Sequence, residues 1–418
     1  MINKAELLAM GQAAKLASRT LRRLSSQEKN QALVAMANYL RQETANILAA
    51  NALDTEDAQA AGRPQSFIDR MVLSDQAIEA MADGLEQMAD LADPIGRVDD
   101  MWYNQEGLQI GRQRVPLGVV GIIFESRPNV TADAAGLCFK TGNAVILRGG
   151  KETIRSNQAI LKALHQGLAD FNLPTSAINL IDNPDRELAK VFMQMNESVD
   201  VLIPRGSAGL INNVIQNATV PTIQTGEGNC HLYVEKSADL DQALAILING
   251  KTQKVSACNA IETLLVDQEI AQSFLSQAGP ALVAAGVTIH GDNQVQAIIP
   301  EAQPATPDDW ATEYLAMEIA IKVVSGYDEA IDHIEHYTTY HSETIVTSDY
   351  QVSRDFMKDL DVAVLYVNAS PRFSDGEKFG FGGEIGISTQ KLHARGPMGL
   401  DALTSYKYTV FGQGQVRP

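Results

Sequence analysis

From residue 117 onward, short β-branched runs alternate with amphipathic helical stretches, and this alternation leaves few architectures open. The first series is Val119-Val120-Gly121-Ile122-Ile123-Phe124, Ala144-Val145-Ile146-Leu147, Ile178-Asn179-Leu180-Ile181 and Val199-Asp200-Val201-Leu202-Ile203. Strands joined through helices make right-handed crossovers and a parallel sheet. A second series runs through His231-Leu232-Tyr233-Val234, Ile261-Glu262-Thr263-Leu264-Leu265-Val266, Thr344-Ile345-Val346-Thr347 and Val362-Ala363-Val364-Leu365-Tyr366-Val367, with helical stretches near 239–250, 268–285 and 349–360. Ser348 and Asp349 suit the start of the last helix, where a side-chain oxygen satisfies free backbone donors. Two α/β domains are therefore expected. Residues 3 to about 92 place Leu7, Leu8, Leu16, Leu21, Leu33, Met36, Leu40, Ile47 and Leu48 at helical spacings, which predicts a helical layer over a sheet. Gly107 to Val115 and Thr404 to Val410 read as further strands, the latter reached through the glycine-rich Phe379 to Gly386.

A chain of 418 residues exceeds what one hydrophobic core usually organises, in keeping with two or three domains. The formal charge of −18 argues against nucleic acid or an anionic membrane as the main partner, so an anionic ligand needs a locally basic pocket. The longest apolar run, Val115 to Phe124, is interrupted by Pro116 and Gly118 and is too short to span a bilayer. The N-terminus enters a charged helical pattern without the apolar core of a secretory signal, and a cytoplasmic location is expected.

Three cysteines, Cys138, Cys230 and Cys258, are an odd number at wide spacings, which suits neither a disulfide framework nor a paired-ligand zinc site. Cys258 lies in Val255-Ser256-Ala257-Cys258-Asn259-Ala260, where small neighbours leave room for a substrate carbonyl and turn amides can face an oxyanion. The alternative is a buried thiol acting as a small hydrophobe. Cys138 falls on an apolar helix face and reads as core; Cys230 reads as structural, with adjacent His231 on the opposite strand face.

Neither GxGxxG nor GxxxxGK occurs in the chain. Ile203-Pro204-Arg205-Gly206-Ser207-Ala208-Gly209 has a strand ending in Gly206-Ser207 before a helix, which suits a pyrophosphate or, equally, a tight turn with Ser207 capping the helix. Arg148-Gly149-Gly150-Lys151 sets two cations at a strand's carboxyl end, the ligand-binding edge of doubly wound sheets; the alternative is a solvated charged loop. His333, His336 and His341 lack metal-motif spacing and read as surface or substrate-contact groups, so no metal is expected.

Several long motifs, in order, carry a resemblance. They are Val115-Pro116-Leu117-Gly118-Val119-Val120-Gly121-Ile122-Ile123-Phe124-Glu125-Ser126-Arg127-Pro128-Asn129-Val130, Lys140 to Glu152, Ile203 to Ser207, Gly226-Glu227-Gly228-Asn229-Cys230-His231, the run around Cys258, and Phe379 to Pro397. Over nearly the whole chain they resemble the γ-glutamyl phosphate reductase family of the aldehyde dehydrogenase-like superfamily. The resemblance implies an α/β fold of two doubly wound, Rossmann-like domains plus a small oligomerisation β-flap. Residues 1–106 and 116–228, with 367–400 returning, would bind NADPH; 229–366 would carry Cys258; 107–115 and 401–418 would form the flap of a homo-oligomer.

It also implies NADPH-dependent reduction of L-glutamyl 5-phosphate to L-glutamate 5-semialdehyde with release of phosphate, and it raises a glutamate 5-kinase as partner. Cys258 would be the nucleophile, with backbone amides near Cys258 and Asn259 facing the oxyanion, because Glu125-Ser126-Arg127-Pro128 lacks the asparagine that hydrolytic relatives use there. Lys151 stands where those relatives carry a ribose-binding carboxylate, which together with Arg148 favours the 2′-phosphate of NADP. Gly206 and Ser207 would take the pyrophosphate. Glu313 aligns with a nicotinamide-ribose glutamate or is an exposed helix charge, and Glu227 approaches the position of a thiol-side glutamate. Thr338 replaces a Gly or Ser of a family signature, which bears on the local turn. Arg127, Asn229, Lys391, His393 and Arg395 form the substrate-binding pool. The competing readings are a hydrolytic or acylating aldehyde dehydrogenase for another semialdehyde, and a non-catalytic nucleotide-binding protein.

Overall fold

The computed structural model describes residues 2–417, less the side chain of Ser66. The opening helical pattern becomes four long helices, Lys4–Leu21, Ser26–Gln42, Thr44–Ala60 and Asp75–Asp90. Asn3 and Ser25 accept from the first-turn amides while Glu6 and Glu28 reach back to the caps, pairing donors that a helix start leaves free. In Lys4–Leu21 the inner stripe runs through Leu7, Gly11, Ala14, Ala17 and Leu21. Leu8 and Leu16 fall off that stripe and face solvent, so their helical spacing does not make them core.

Val119–Phe124, Ala144–Arg148, Ile178–Leu180 and Val201–Arg205 form a parallel sheet. The chain steps from Val119–Phe124 outward through Ala144–Arg148 to Ile178–Leu180, then crosses to lay Val201–Arg205 on the opposite side. The carboxyl ends that flank this reversal are Glu125 and Gly206-Ser207, the place where doubly wound sheets hold ligands. The last strand starts two residues later than its apolar run, because Asp200 turns its carboxylate onto the Val119 N–H at 2.8 Å.

Gln109–Pro116 lies between Val98–Tyr103 and Thr404–Phe411 in an antiparallel sheet. Val98–Tyr103 escaped the sequence reading because Asp99 and Asp100 interrupt its apolar alternation. Across the pair Asp100 meets Arg112 at 2.5 Å and Asp99 meets Arg114 at 2.6 Å.

The second parallel sheet has seven strands, in the order Gln303–Pro304, Thr288–Gly291, Glu318–Val324, Ile261–Asp267, Cys230–Val234, Ser342–Val346 and Val364–Val367. Cys230–Val234 and Ile261–Asp267 are buried along their whole length, as central strands of a sheet covered on both faces must be. The helix Tyr350–Asp359 starts as expected, with Asp349 accepting from the Gln351 and Val352 amides. The two sheets and their helices establish the doubly wound α/β class.

By contacts, one unit runs through Gln224 and takes back Gly380–Gly386 and the chain from Met398; the other comprises Thr225–Phe379 and Ile387–Pro397. The three-stranded sheet belongs to the first unit, while Lys391, His393 and Arg395 lie in the second. Among the described residues no helix is long and apolar enough to cross a membrane.

Candidate active site

The helix Leu240–Thr252 ends and the chain makes two tight turns, the Ala257 N–H donating to Lys254 O at 3.2 Å and the Ala260 N–H to Ala257 O at 2.9 Å. Cys258 stands on the second turn, partly exposed, so the reading of a fully buried thiol does not hold. The turn is clamped from three sides. The Cys230 thiol donates to Cys258 O at 3.3 Å, and the Asn259 carboxamide donates to Ser374 O at 2.8 Å and Arg372 O at 3.4 Å. Gly228 passes so closely that a Cβ there would lie 1.4 Å from Cys258 O. With its carboxamide engaged, Asn259 offers its backbone N–H, which has no acceptor among the described residues. Cys138 is core, and burial pushes the Cys138 and Cys230 thiols up, so neither is a ready nucleophile.

His341 Nε2 lies 3.2 Å from Cys258 Sγ. Burial pushes this histidine down to about 4, so it is neutral at physiological pH. The expectation of surface histidines is corrected for His333 and His341, which are buried, while His336 is exposed; His231 is buried too. His231 Nδ1 pairs with Glu343 at 3.0 Å, and burial, reinforced by His231, pushes His333 down to about 3. Among the described residues no group of three or more His, Cys, Asp or Glu could hold a metal ion. Cys230, Cys258 and His341 each precede or begin one of three neighbouring strands, so the sheet order assembles them at its amino-terminal edge. That is the edge opposite the usual ligand side of such sheets.

Buried neutral histidines make stability depend on acid. In the unfolded chain His333 and His341 titrate near 6.5, whereas the folded chain resists protonation until about 3 and about 4. Below 6.5 the unfolded state binds more protons, so stability is retained above that value and lost as pH falls towards 4. The Tm measured at about pH 5 is expected below that at about pH 7. An unchanged Tm would show that these histidines are not buried and neutral.

Two further side chains complete the neighbourhood. Arg372 Nε donates to Gln253 Oε1 at 3.1 Å while its carbonyl takes the Asn259 amide, which holds this guanidinium beside the 253–259 turn. Burial lowers its pKa, and the charge of Cys258 is the largest effect in the opposite direction. Arg372 was not singled out in the sequence, since a lone arginine in a short turn carries no motif.

Glu313 lies in the loop between Asp309–Ala311 and Glu318–Val324, not on a helix, and its Oε1 accepts from the Gly228 N–H at 2.8 Å. Burial raises its pKa, and Glu227 adds to the rise. The buried pair of Lys251 and Glu262 at 2.5 Å braces this loop, because Glu262 also accepts from the Leu315 N–H at 3.3 Å. Glu227 itself is exposed. Thr338 keeps an ordinary extended backbone (φ −62°, ψ 141°) and donates its hydroxyl to Glu343 at 2.5 Å, so the turn accommodates it.

The substrate-binding pool is not brought together. The Asn229 carboxamide braces Trp310 O at 2.9 Å and Tyr337 O at 3.0 Å. Lys391 and Arg395 both pair with Asp361, whose carboxyl their hydrogen bonds hold at about 2. Arg127 and His393 are exposed, in the first and second unit respectively.

In the first unit, the Ser207 hydroxyl donates to Glu125 at 2.5 Å and does not cap the helix Ala208–Asn217. The capping alternative thus fails, and the Ala208, Gly209 and Leu210 amides at the sheet reversal have no acceptor among the described residues, which suits a pyrophosphate. Gly206 closes against Glu125, where a Cβ would meet Cδ at 2.6 Å. Arg148 does not join Lys151: its guanidinium donates to Pro184 O at 3.2 Å and Asp185 O at 3.4 Å. Lys151 is exposed, lines a cleft with Asp54, Asp57, Arg63, Glu152 and Arg155, and makes no ion pair among the described residues. These residues fit a dinucleotide.

A family model described as the aldehyde dehydrogenase family matches residues 1–316. A gamma-glutamyl phosphate reductase from Moorella thermoacetica is 54% identical over 412 residues, covering 99% of each chain. One from Heliobacterium modesticaldum is 52% identical over 417 residues, covering 100% of both. The crystal structure of a gamma-glutamyl phosphate reductase from Thermotoga maritima superposes with a TM-score of 0.97 at 46% identity, covering 99% of this chain and 100% of that one. Family match, full-length identity and superposition agree with a cysteine turn beside a doubly wound sheet: the chain belongs to the aldehyde dehydrogenase family and, within it, to the gamma-glutamyl phosphate reductases.

Proposed function

We propose that this chain reduces L-glutamyl 5-phosphate to L-glutamate 5-semialdehyde with NADPH and releases phosphate, the second step of proline synthesis from glutamate. The observation that carries the reading is the Cys258 turn, a part-exposed thiol beside an open Asn259 N–H. The Cys258 sulfur attacks the acyl phosphate carbonyl carbon, the carbon–oxygen bond to phosphate breaks with its electron pair leaving on phosphate, and a thioester remains. Turn amides stabilise the negative oxygen. Arg372 presents a guanidinium suited to the departing phosphate. Bound NADPH would supply the hydride that reduces the thioester carbonyl. The Cys258 sulfur then leaves as thiolate and frees the aldehyde, so this route needs no water-activating base.

On this reading Gly206, Ser207 and the amides after them hold the pyrophosphate, Lys151 takes the 2′-phosphate, and the free oxygen of Glu313 serves the nicotinamide ribose. Arg127 and His393 are assigned to the substrate together with Arg372, while Asn229, Lys391 and Arg395 support it through the loops they brace. Lys151→Glu is expected to raise KM for NADPH by about 10- to 100-fold, the loss of one charged contact plus a new repulsion, with little change for NADH. Equal effects on both cofactors would remove Lys151 from that role.

The enzyme is further read as a cytoplasmic homo-oligomer, with a glutamate 5-kinase as the partner that supplies its labile substrate. Supporting the oligomer, the three-stranded sheet exposes Trp102, Tyr103, Tyr406, Tyr408, Val410 and Phe411. Light scattering of Trp102→Asp is expected to show a smaller species than the parent, and an unchanged mass would place the interface elsewhere.

The activity is tested in reverse, following NADPH formation from glutamate semialdehyde and NADP. Strict dependence on inorganic phosphate is expected. Turnover without phosphate would identify a hydrolytic dehydrogenase instead, and dependence on coenzyme A an acylating one.

A further inference from the structure

A chain of hydroxyl groups leads from the protein interior to the nucleophile. Tyr366 Oη lies 2.8 Å from Ser374 Oγ, Ser374 Oγ lies 2.8 Å from Ser342 Oγ, and Ser342 Oγ lies 2.9 Å from His341 Nδ1. On the far side of the ring, Nε2 faces Cys258 Sγ at 3.2 Å. All four residues behind the sulfur belong to the same unit as Cys258.

Proton accounting gives this chain one direction. Tyr366 is buried, and among the described residues its hydroxyl has Ser374 Oγ as its one hydrogen-bond partner, so the phenolic proton goes there. The Ser374 proton must then go to Ser342, and the Ser342 proton to His341 Nδ1. In the reverse direction the phenolic proton would be buried without an acceptor. With Nδ1 accepting, the ring proton of a neutral imidazole sits on Nε2 and points at the sulfur.

From this arrangement we infer that Tyr366, Ser374 and Ser342 are positioning residues that hold His341 in its Nε2–H form, and that His341 is a hydrogen-bond donor to the Cys258 thiolate, not the base that deprotonates it. The inference rests on reading Cys258 as the nucleophile. Burial agrees with it, since it pushes His341 down to about 4 and so disfavours an imidazolium, and pushes Tyr366 up to about 12, which keeps the head of the chain protonated. Cys230 offers little competition: its Sγ is 3.8 Å from Nδ1 and its proton is directed to Cys258 O. The charged groups that bear on the two thiols include Arg372, which acts on both, and Glu262, Glu343 and Lys251 near Cys230. The donor serves twice. It favours the attacking thiolate, and it receives the sulfur again when the carbon–sulfur bond breaks and the electron pair returns to it.

The test reads the thiol without turnover. Alkylation of Cys258 by iodoacetamide, located by peptide mapping and followed against pH with no substrate or cofactor, reports where the thiolate forms. His341→Ala is expected to move that profile up by about one to two pH units, the worth of a hydrogen bond to a charged group. Ser342→Ala, which releases Nδ1 and lets the ring exchange its proton, moves it in the same direction by a smaller amount. His341→Gln, which returns an amide N–H near the Nε2 position, stays closer to the parent than His341→Ala does. In the unsubstituted protein, ¹⁵N spectra of labelled histidine are expected to show an unprotonated Nδ1 on His341. An Nδ1–H form, or an alkylation profile that Ser342→Ala leaves unmoved, overturns the inference, as does an unmoved profile in His341→Ala where it folds. Turnover that survives in Cys258→Ala would instead overturn the proposed function and leave the alkylation result standing.

Discussion

Cys258→Ala is expected to lower phosphate-dependent turnover by about 10⁴-fold or more, on the scale seen when an enzyme loses its attacking atom. The effect falls on kcat, because the bond-forming group is lost while Arg372, the Asn259 amide and the cofactor site stay in place. The fold should be little disturbed. Cys258 is partly exposed, and its carbonyl, which takes the Cys230 thiol, is retained in the alanine variant. A variant whose Tm matches the parent while its turnover is lost assigns the thiol to chemistry. Turnover within about tenfold of the parent would remove Cys258 from the mechanism.

Gly228→Ala tests the setting of that thiol. The new Cβ would lie 1.4 Å from Cys258 O and 2.4 Å from Cys258 C, backbone atoms that cannot swing aside as a side chain can. Either the Cys258 turn moves out or the 226–229 segment does. The first breaks the contact of the Cys230 thiol with Cys258 O, and the second breaks the Glu313 bond to the Gly228 N–H. A cost of about 4 kcal/mol or more is expected in denaturant unfolding, in the range reserved for severe overpacking. Residual activity in whatever folds should fall at least about 100-fold, since displacement of reacting groups by about 1 Å is enough for that. A stable and fully active Gly228→Ala enzyme would show that the close approach does not position the nucleophile.

Much of this is legible in the amino-acid sequence alone. Val119–Phe124 is a continuous apolar run and Ile261–Asp267 carries the apolar stretch Leu264-Leu265-Val266, because both sheet faces are covered, and such runs announce parallel strands. Cys258 announced itself through the small residues around it. Other parts were not legible, for physical reasons. The strand Glu318–Val324 carries Glu318 and Lys322 among its apolar residues, and Val98–Tyr103 pairs its acids with arginines on the neighbouring strand, so neither shows a clean alternation.

His341 was invisible as a partner of Cys258, because that contact depends on Cys230–Val234 lying between the two strands that follow Cys258 and His341. Sequence spacing carries no strand order. Arg148 misled in the opposite way: its place beside Gly149 and Gly150 suggested a ligand contact, but carbonyls of the loop at Pro184 and Asp185 lie within its reach and take the guanidinium. Lys391 and Arg395 were likewise plausible anion binders until Asp361 stood between them.

The central claim is that the acyl group passes through Cys258 and that phosphate, not water, exchanges with it. The most direct measurement mixes the enzyme with glutamate semialdehyde and NADP in the absence of phosphate, follows NADPH, and takes the intact mass of the protein. The account predicts a single burst of one NADPH per chain that then stops, with one glutamyl group on the peptide carrying Cys258, and resumption of turnover when phosphate is added. Continuous NADPH formation without phosphate, or a burst that leaves Cys258 unmodified, would contradict it.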